Sequence, residues 1–406
     1  VRSFAAVLAG AAMLAWPALV NGYPIMFSDT AGLAEMGLAL DMGWDKPWVY
    51  GPLIYLLNWG VSFWGVVAGQ CLLTSAVLWA VGRAAGPGRA WSHLLLCAVL
   101  AAGSAAPWFT CLVMPDIFAP LVVLCLFLLG WGSAGRWAVA LTVAAAAVGI
   151  AAHLAHLIVA CGCLVAIAVA RWRRLLLATA PLALALAWLF GSNVVGNGVA
   201  GISPYGSVFA LARLQADGPA ADYLRAVCPG AGFRTCAWVA ELPMDSDAFL
   251  WRPDGPVWGH DYGPILYAPE ASRIVASALR YEPALAAEKA LLNTWRQLFH
   301  VRLGDTLGSL HLRATVGRLL GLFFPAAETA RFEASRQMQD RLAAVAAPLE
   351  PLRLALLGCG SVLTLVIIPW AWKRQPVLAG LALTIVLGIL ANAFATGALS
   401  GPHDRY

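Results

Sequence analysis

Two carboxylates in a chain otherwise poor in charge stand where chemistry can be done. Asp29 lies in YPIMFSDTAGLAEMG, just after the first apolar run, and Asp116 lies in MPDIFAP at the head of another. A positioned carboxylate can take a proton from a weak nucleophile as a bond forms. Each also has a plainer reading. Ser28 or Asp29 can cap a short helix over the Ala-Gly-Leu-Ala-Glu run, and Asp116 can complement the positive N-terminus of the helix that it opens. For Asp29 the two roles are compatible. A segment with basic, Pro and aromatic residues follows in WDKPWVYGPLIYLLNWG, which carries Lys46 and Tyr50, and His403, Asp404 and Arg405 make a dense charged group at the end. The plain reading of that last group is a solvated turn with an interfacial Tyr406.

Histidines and cysteines add less. His153 and His156 stand three apart, and two histidines invite a metal ion. Without a third ligand the pair reads as structural or interfacial. No metal site is assigned, and a divalent metal stays open as a cofactor. Most of the nine cysteines lie in or beside apolar runs, where a thiol behaves as a small apolar side chain.

The elements that must position these residues follow from composition. The chain has 406 residues, 61% of them hydrophobic and 12% charged, where a soluble domain carries roughly a quarter charged. A water-soluble core cannot hide such an apolar surplus, so lipid must solvate much of the chain. Stretches of about 20 residues nearly free of charge match the hydrocarbon thickness. They predict about nine spanning helices, near 3–20, 62–84, 91–106, 116–132, 136–151, 154–170, 175–192, 352–371 and 376–396. The first has no small-residue cleavage site behind it and reads as a retained helix rather than a signal peptide.

Basic residues in the short turns set the orientation. With the N-terminus in the cytoplasm, Arg83, Arg89, Arg136, Arg171, Arg173, Arg174, Lys373 and Arg374 all fall on the cytoplasmic side. The turns at 107–115 and 151–154 carry no Lys or Arg. Residues 21–61, the 107–115 turn, a long region 193–350 and the tail 397–406 then face outward. The long region is balanced in charge, and Ile274, Ala278, Tyr281, Leu285, Leu292, Trp295 and Phe299 recur at helical spacing. Its helices form either an ordinary packed cap or a layer on the membrane surface. Cys228 and Cys236, eight apart in CPGAGFRTC, are expected to pair there, because an oxidising compartment favours it. The expected architecture is an all-α polytopic membrane protein. Residues 1–192 form an N-terminal transmembrane module with the outward loop 21–61, residues 193–350 an extracytoplasmic, mainly helical region, and residues 351–406 the C-terminal transmembrane helices.

The order of these features resembles the GT-C glycosyltransferase superfamily, in particular bacterial relatives of the protein mannosyltransferases and the aminoarabinose transferases. There an Asp comes soon after the first span, and a segment of the kind Arg/Lys-Pro-Pro-x-Tyr-Pro follows. Here Asp29 takes the first place, and Lys46, Pro47, Tyr50, Gly51 and Pro52 take the second. Asp116 matches a second acidic residue at the start of the fourth span. SGPHDRY looks like the outward Arg-Tyr motif that precedes a late span, so a further span is expected after Tyr406. The relatives often carry two neighbouring acids at the first position, whereas Ser28 and Thr30 flank Asp29 here, which leaves fewer ligands for a metal. The matches cover roughly the first 135 residues and the last ten.

The resemblance implies a GT-C-like helix bundle in the bacterial inner membrane. Its activity would be inverting transfer of a sugar from a polyprenyl-phosphate donor to a lipid, glycan or protein acceptor on the periplasmic face. Asp29 and Asp116 would be catalytic, with Asp29 the base that deprotonates an acceptor hydroxyl. Lys46, Tyr50, His403 and Arg405 would bind substrate, the cations among them stabilising the departing lipid phosphate. Membrane lipids are expected partners and nucleic acid is not. Two rivals stand beside this reading. A transporter fits less well, because intramembrane ionisable residues usually mark transport pathways and these spans hold almost none. A non-catalytic glycolipid-binding protein fits the same features, since a retained fold needs no retained activity.

Overall fold

A computed structural model describes residues 2–259 and 263–401. Helices fill all nine expected apolar stretches, and no strand forms among the described residues. Four helical runs are long and apolar enough to cross a membrane: Trp64–Ala85, Ala155–Asn197, Leu342–Ala371 and Pro376–Leu399. Ser3–Leu14, Ala90–Gly103, Pro115–Trp131 and Arg136–Ala152 are apolar but shorter. Local breaks account for the lengths. Pro17 opens a separate helix, Trp16–Asn21, directly after Arg2–Leu14, as expected of a proline that fits only a first helical turn. Arg171 leaves helical dihedrals at φ −146° and ψ 45°, dividing Ala155–Asn197 into Ala155–Arg171 and Leu175–Asn197.

The chain forms two compact units. One contains the residues up to Trp188 together with Val301–Ala391, and the other contains Leu189–His300 with residues 392–401. The stretch expected as one outward region, 193–350, is therefore shared between them.

In the first unit, small residues let helices approach closely, which is how apolar helices pack when lipid supplies no hydrophobic drive between them. Gly380 lies against the Trp131 indole, and a side chain there would overlap the ring. This contact brings the turns near 132–135 and 372–375 to one end of the unit. At the other end Ile25 pairs in extended fashion with the segment at Leu112, and Leu352 and Leu356 lie over Gly103. The outer faces are apolar, with Leu141, Leu176, Val362 and Leu363 all exposed. Only 6% of the most apolar window of Leu342–Ala371 is buried. Contiguous apolar surface on this scale is not sustained in water.

The second unit is a helical body around Val208, Leu211, Leu224, Phe249, Ile274 and Ala278. Its helices include Gly206–Asp217, Pro219–Val227, Gly263–Tyr281 and Pro283–Gln297. Cys228 and Cys236 are joined as a disulfide, with Cα atoms 5.5 Å apart. The loop that this bridge closes is fastened by Glu270, whose buried carboxylate accepts hydrogen bonds from Arg234 N at 3.1 Å, Thr235 N at 3.0 Å and Thr235 Oγ1 at 2.8 Å. Of the residues that recur at helical spacing, Ile274 and Ala278 are in the core, whereas Tyr281, Trp295 and Phe299 are exposed.

Candidate functional site

The loop after the first apolar stretch is built around a short extended stretch. Ile25 N donates to Cys111 O and Val113 N donates to Ile25 O, both at 2.9 Å. Phe27 N then donates to Thr30 Oγ1 at 3.0 Å, and Thr30 Oγ1 donates to Val113 O at 2.9 Å. Thr30 therefore closes the N-terminus of the Ser28–Leu38 helix, a role that the sequence suggested for Ser28 or Asp29. It also ties that helix to the strand-like segment leading into Pro115 and Asp116. Asp29 lies in the first turn of this helix, where a carboxylate is favoured by the positive helix end.

The chain returns to Asp29 through the WDKPWVY segment. The Nζ atom of Lys46 is 3.9 Å from Asp29 Oδ1 and also pairs with Asp45. The two side chains remain 22% and 35% exposed, Lys46 and Asp29 respectively, so solvent screens the attraction and leaves both reachable. Trp48 Nε1 donates to Met36 O at 3.3 Å, and Trp188 Nε1 donates to Trp48 O at 3.2 Å, fixing the segment from two sides. Gly37 and Gly51 let the Ser28–Leu38 and Tyr50–Asn58 helices touch backbone to backbone, since a Cβ on either would overlap the other.

Tyr50 stands behind this pair and not in front of it. Its ring is fully buried, and its hydroxyl donates to Gln70 Oε1 at 2.7 Å. Gln70 Nε2 in turn donates to Thr110 O at 3.0 Å and Leu112 O at 2.9 Å. Burial, and after it the nearby Asp116 charge, pushes the Tyr50 phenol well above its ordinary range, so it remains a neutral donor. The ring also meets Phe118 edge-on at 6.2 Å. Tyr50 thus positions the segment carrying Asp116 and does not offer a face to a ligand. One Asp116 carboxylate oxygen is shut off from solvent.

A second layer comes from residues that the sequence reading did not single out. Glu328, 3% exposed, accepts from Tyr23 Oη at 3.0 Å, Ser62 Oγ at 2.8 Å and Arg331 Nη1 at 2.8 Å. Burial, then the Glu328 charge, raises the Tyr23 phenol far above its usual value. Gln337 Oε1 accepts from Met26 N at 3.0 Å, while its Nε2 donates to Met26 O at 2.7 Å and Thr306 O at 3.0 Å. Asn21 Oδ1 accepts from Gln337 N at 2.8 Å. Residues 301–349 are in this way stitched onto the loop that carries Asp29. In a sequence, Glu328 and Gln337 look like any solvated polar residues of a charge-balanced stretch, and no motif marks them.

The remaining candidates lie elsewhere. His156 is buried, with Nδ1 2.7 Å from Gly149 O and its ring 5.3 Å from that of His153. That is a turn-locking arrangement. Among the described residues no group of three or more His, Cys, Asp or Glu is placed to hold a metal ion. His403 and Arg405 lie outside the described residues, and Cys228 and Cys236 belong to the second unit. The arrangement that results is a half-exposed carboxylate–ammonium pair beside a rigid, hydrogen-bonded wall. The carboxylate can accept a proton, and the ammonium can neutralise an anion brought to it. No protein family, curated protein or solved structure matches the chain.

Proposed function

We propose that the chain is a multi-pass protein of the bacterial inner membrane, N-terminus in the cytoplasm, with a GT-C-like bundle that transfers a sugar from a polyprenyl-phosphate donor to an envelope acceptor on the periplasmic face. The observation that carries the proposal is the meeting of Asp29 and Lys46 beside the hydrogen-bonded segment that leads into Asp116. Two residues singled out in the sequence, Asp29 and Lys46, meet, and Thr30 beside Asp29 bonds to Val113, three residues before Asp116. The exposed apolar helices supply the membrane setting, and the single sign of charge in the turns near 83–89, 132–136, 171–174 and 372–374 supplies the orientation.

In this reading the acceptor hydroxyl oxygen attacks the anomeric carbon while the bond from that carbon to the phosphate oxygen breaks. Asp29 takes the hydroxyl proton. The polyprenyl phosphate leaves with the electron pair of the broken bond, and Lys46 offsets the charge that develops on it. Asp116, at the end of the segment held by Tyr50, Gln70 and Thr30, supplies a second carboxylate. His403 and Arg405 remain candidates for the same phosphate.

The test is transfer by membranes supplied with polyprenyl-phosphate sugars. Asp29→Asn is expected to lower the rate by about 10²- to 10⁴-fold, the usual worth of a general base, with unchanged lipid binding. Full activity of that variant removes Asp29 from the role. Binding of the lipid-linked sugar with no transfer by the unaltered protein favours the rival reading, a non-catalytic glycolipid-binding protein.

A further inference from the structure

The Pro283–Gln297 helix is amphipathic in the reverse sense to a packed soluble helix. Its buried positions are polar: Asn293 is 4% exposed and Gln297 3%. Three large apolar side chains face out, Leu291 70% exposed, Trp295 61% and Phe299, just past its end, 64%, while Leu285 and Leu292 are half-buried. Residues 291, 295 and 299 recur every fourth position and so lie on one stripe. A helical cap folded in water would turn that stripe inward.

Two features say what the stripe faces. The polar side of the helix is held by protein: Asn293 Nδ2 donates to both carboxylate oxygens of Asp217, at 3.0 and 2.9 Å. The same side lies on Gly397 so closely that a Cβ there would fall 2.5 Å from the Asn293 carbonyl oxygen. Gly397 is at the C-terminal end of Pro376–Leu399, a helix of membrane-crossing length. The polar side of the helix is thus fastened to the last turns of a helix of membrane-crossing length, and the apolar stripe lies on the opposite side. Lys289 and Arg296, seven apart on one edge of the helix, supply positive charge beside it. An apolar face with an aromatic residue and a basic flank is the pattern of a helix lying in a lipid interface, and Trp is favoured at that depth. Trp295 and Phe299 meet edge-on at 5.0 Å and present one joined aromatic surface. Glu288 stands one turn before Leu291, which sets the start of the apolar stripe at Leu291.

We infer that Leu291, Trp295 and Phe299 insert into the headgroup–acyl boundary of an anionic phospholipid bilayer and anchor the second unit to the membrane surface. The inference rests on the membrane placement proposed above. Its test keeps the two separable. Full-length protein is placed in nanodiscs of phosphatidylcholine and phosphatidylglycerol after the exposed thiols Cys161 and Cys359 are changed to Ser. Nitroxide labels are attached singly at Trp295→Cys, Phe299→Cys, Leu363→Cys on the exposed face of Glu350–Ala371, and Arg225→Cys on the exposed surface of the second unit. The reading is relaxation by oxygen, which concentrates in lipid, against a water-soluble nickel chelate. The expected result is an oxygen-to-chelate ratio several-fold higher at 295 and 299 than at 225, and highest at 363. Ratios at 295 and 299 equal to that at 225, with 363 in lipid, overturn the anchor and leave the membrane placement standing. Labels at 295 and 299 shielded from both reagents mean a protein partner or second copy covers the stripe, which also overturns it. A water-like ratio at 363 overturns the membrane placement itself.

Discussion

The loop around Asp29 and the Leu189–His300 body both bury polar groups, yet they satisfy them over very different distances in the chain. Around Asp29 the partners are remote. Gln337 holds Met26 across 311 residues, Tyr23 holds Glu328 across 305, and Gln70 holds Leu112 across 42. In the second unit the separations are shorter: Asn293 reaches Asp217 across 76 residues, Ser207 reaches Ala268 across 61, Glu270 reaches Thr235 across 35, and the disulfide closes a separation of 8. The second unit is therefore tied over shorter stretches of chain than the loop around Asp29. The candidate site exists only when three distant stretches of chain are all in place. Neutral amides do most of the tying there, which fixes the loop without adding charge beside the Asp29–Lys46 pair.

The largest expected effect tests the remote side of this contrast. Gln337→Leu preserves volume but leaves the Met26 N–H, Met26 O and Thr306 O without their side-chain partner. A buried group left unpaired costs about 1–3 kcal/mol, so a loss of about 3 kcal/mol is expected. In hydrogen exchange followed by mass spectrometry, faster exchange should appear in residues 20–40 and 301–312 together, with 205–280 unchanged. Exchange confined to the stretch around residue 337 would show that the loop is held by other means and break the comparison.

A smaller effect tests the local side. Removing the bridge with Cys228→Ser and Cys236→Ser frees a short loop, which chain entropy values at about 2–3 kcal/mol. Exchange should rise from about 219 to 245 and leave residues 20–40 as they were. Loss of protection at Asp29 in this variant would break the comparison.

The same contrast explains what the sequence could and could not tell. The nine apolar helices were legible because each needs only its own run of side chains and a turn of Gly, Pro or Arg to stop it. Asp29 and Lys46 were singled out by their order in one short loop, but their approach to 3.9 Å was not. The folding of residues 301–349 onto that loop was not, because Gln337, Asn21 and Glu328 act across the length of the chain and have no periodicity of their own. Tyr50 misled for a related reason. The resemblance implied a substrate-facing phenol, and only the remote partner Gln70 shows that the hydroxyl belongs to the wall. The helical spacing of Trp295 and Phe299 was likewise legible, but periodicity gives a stripe and not the direction in which it faces.

The smallest effect distinguishes the two buried phenols of the remote layer by pH. Tyr23 and Tyr50 both have folded-state values raised by burial first, with Glu328 and Asp116 respectively adding to the rise. An unfolded tyrosine titrates near about 10. Below that value both states keep the proton and the contribution is fully present. Above it the unfolded chain loses protons that the folded protein retains, so stability falls as pH climbs toward the folded-state values. At neutral pH, Tyr50→Phe should cost about 1 kcal/mol through the lost bond to Gln70. Between pH 9.5 and 11, thermal melts of the solubilised protein should fall less steeply for Tyr50→Phe and Tyr23→Phe than for the unaltered chain. The double variant should be flatter than either. An unchanged slope in the double variant would mean that these hydroxyls reach water, and that the wall behind Asp29 is looser than its hydrogen bonds imply.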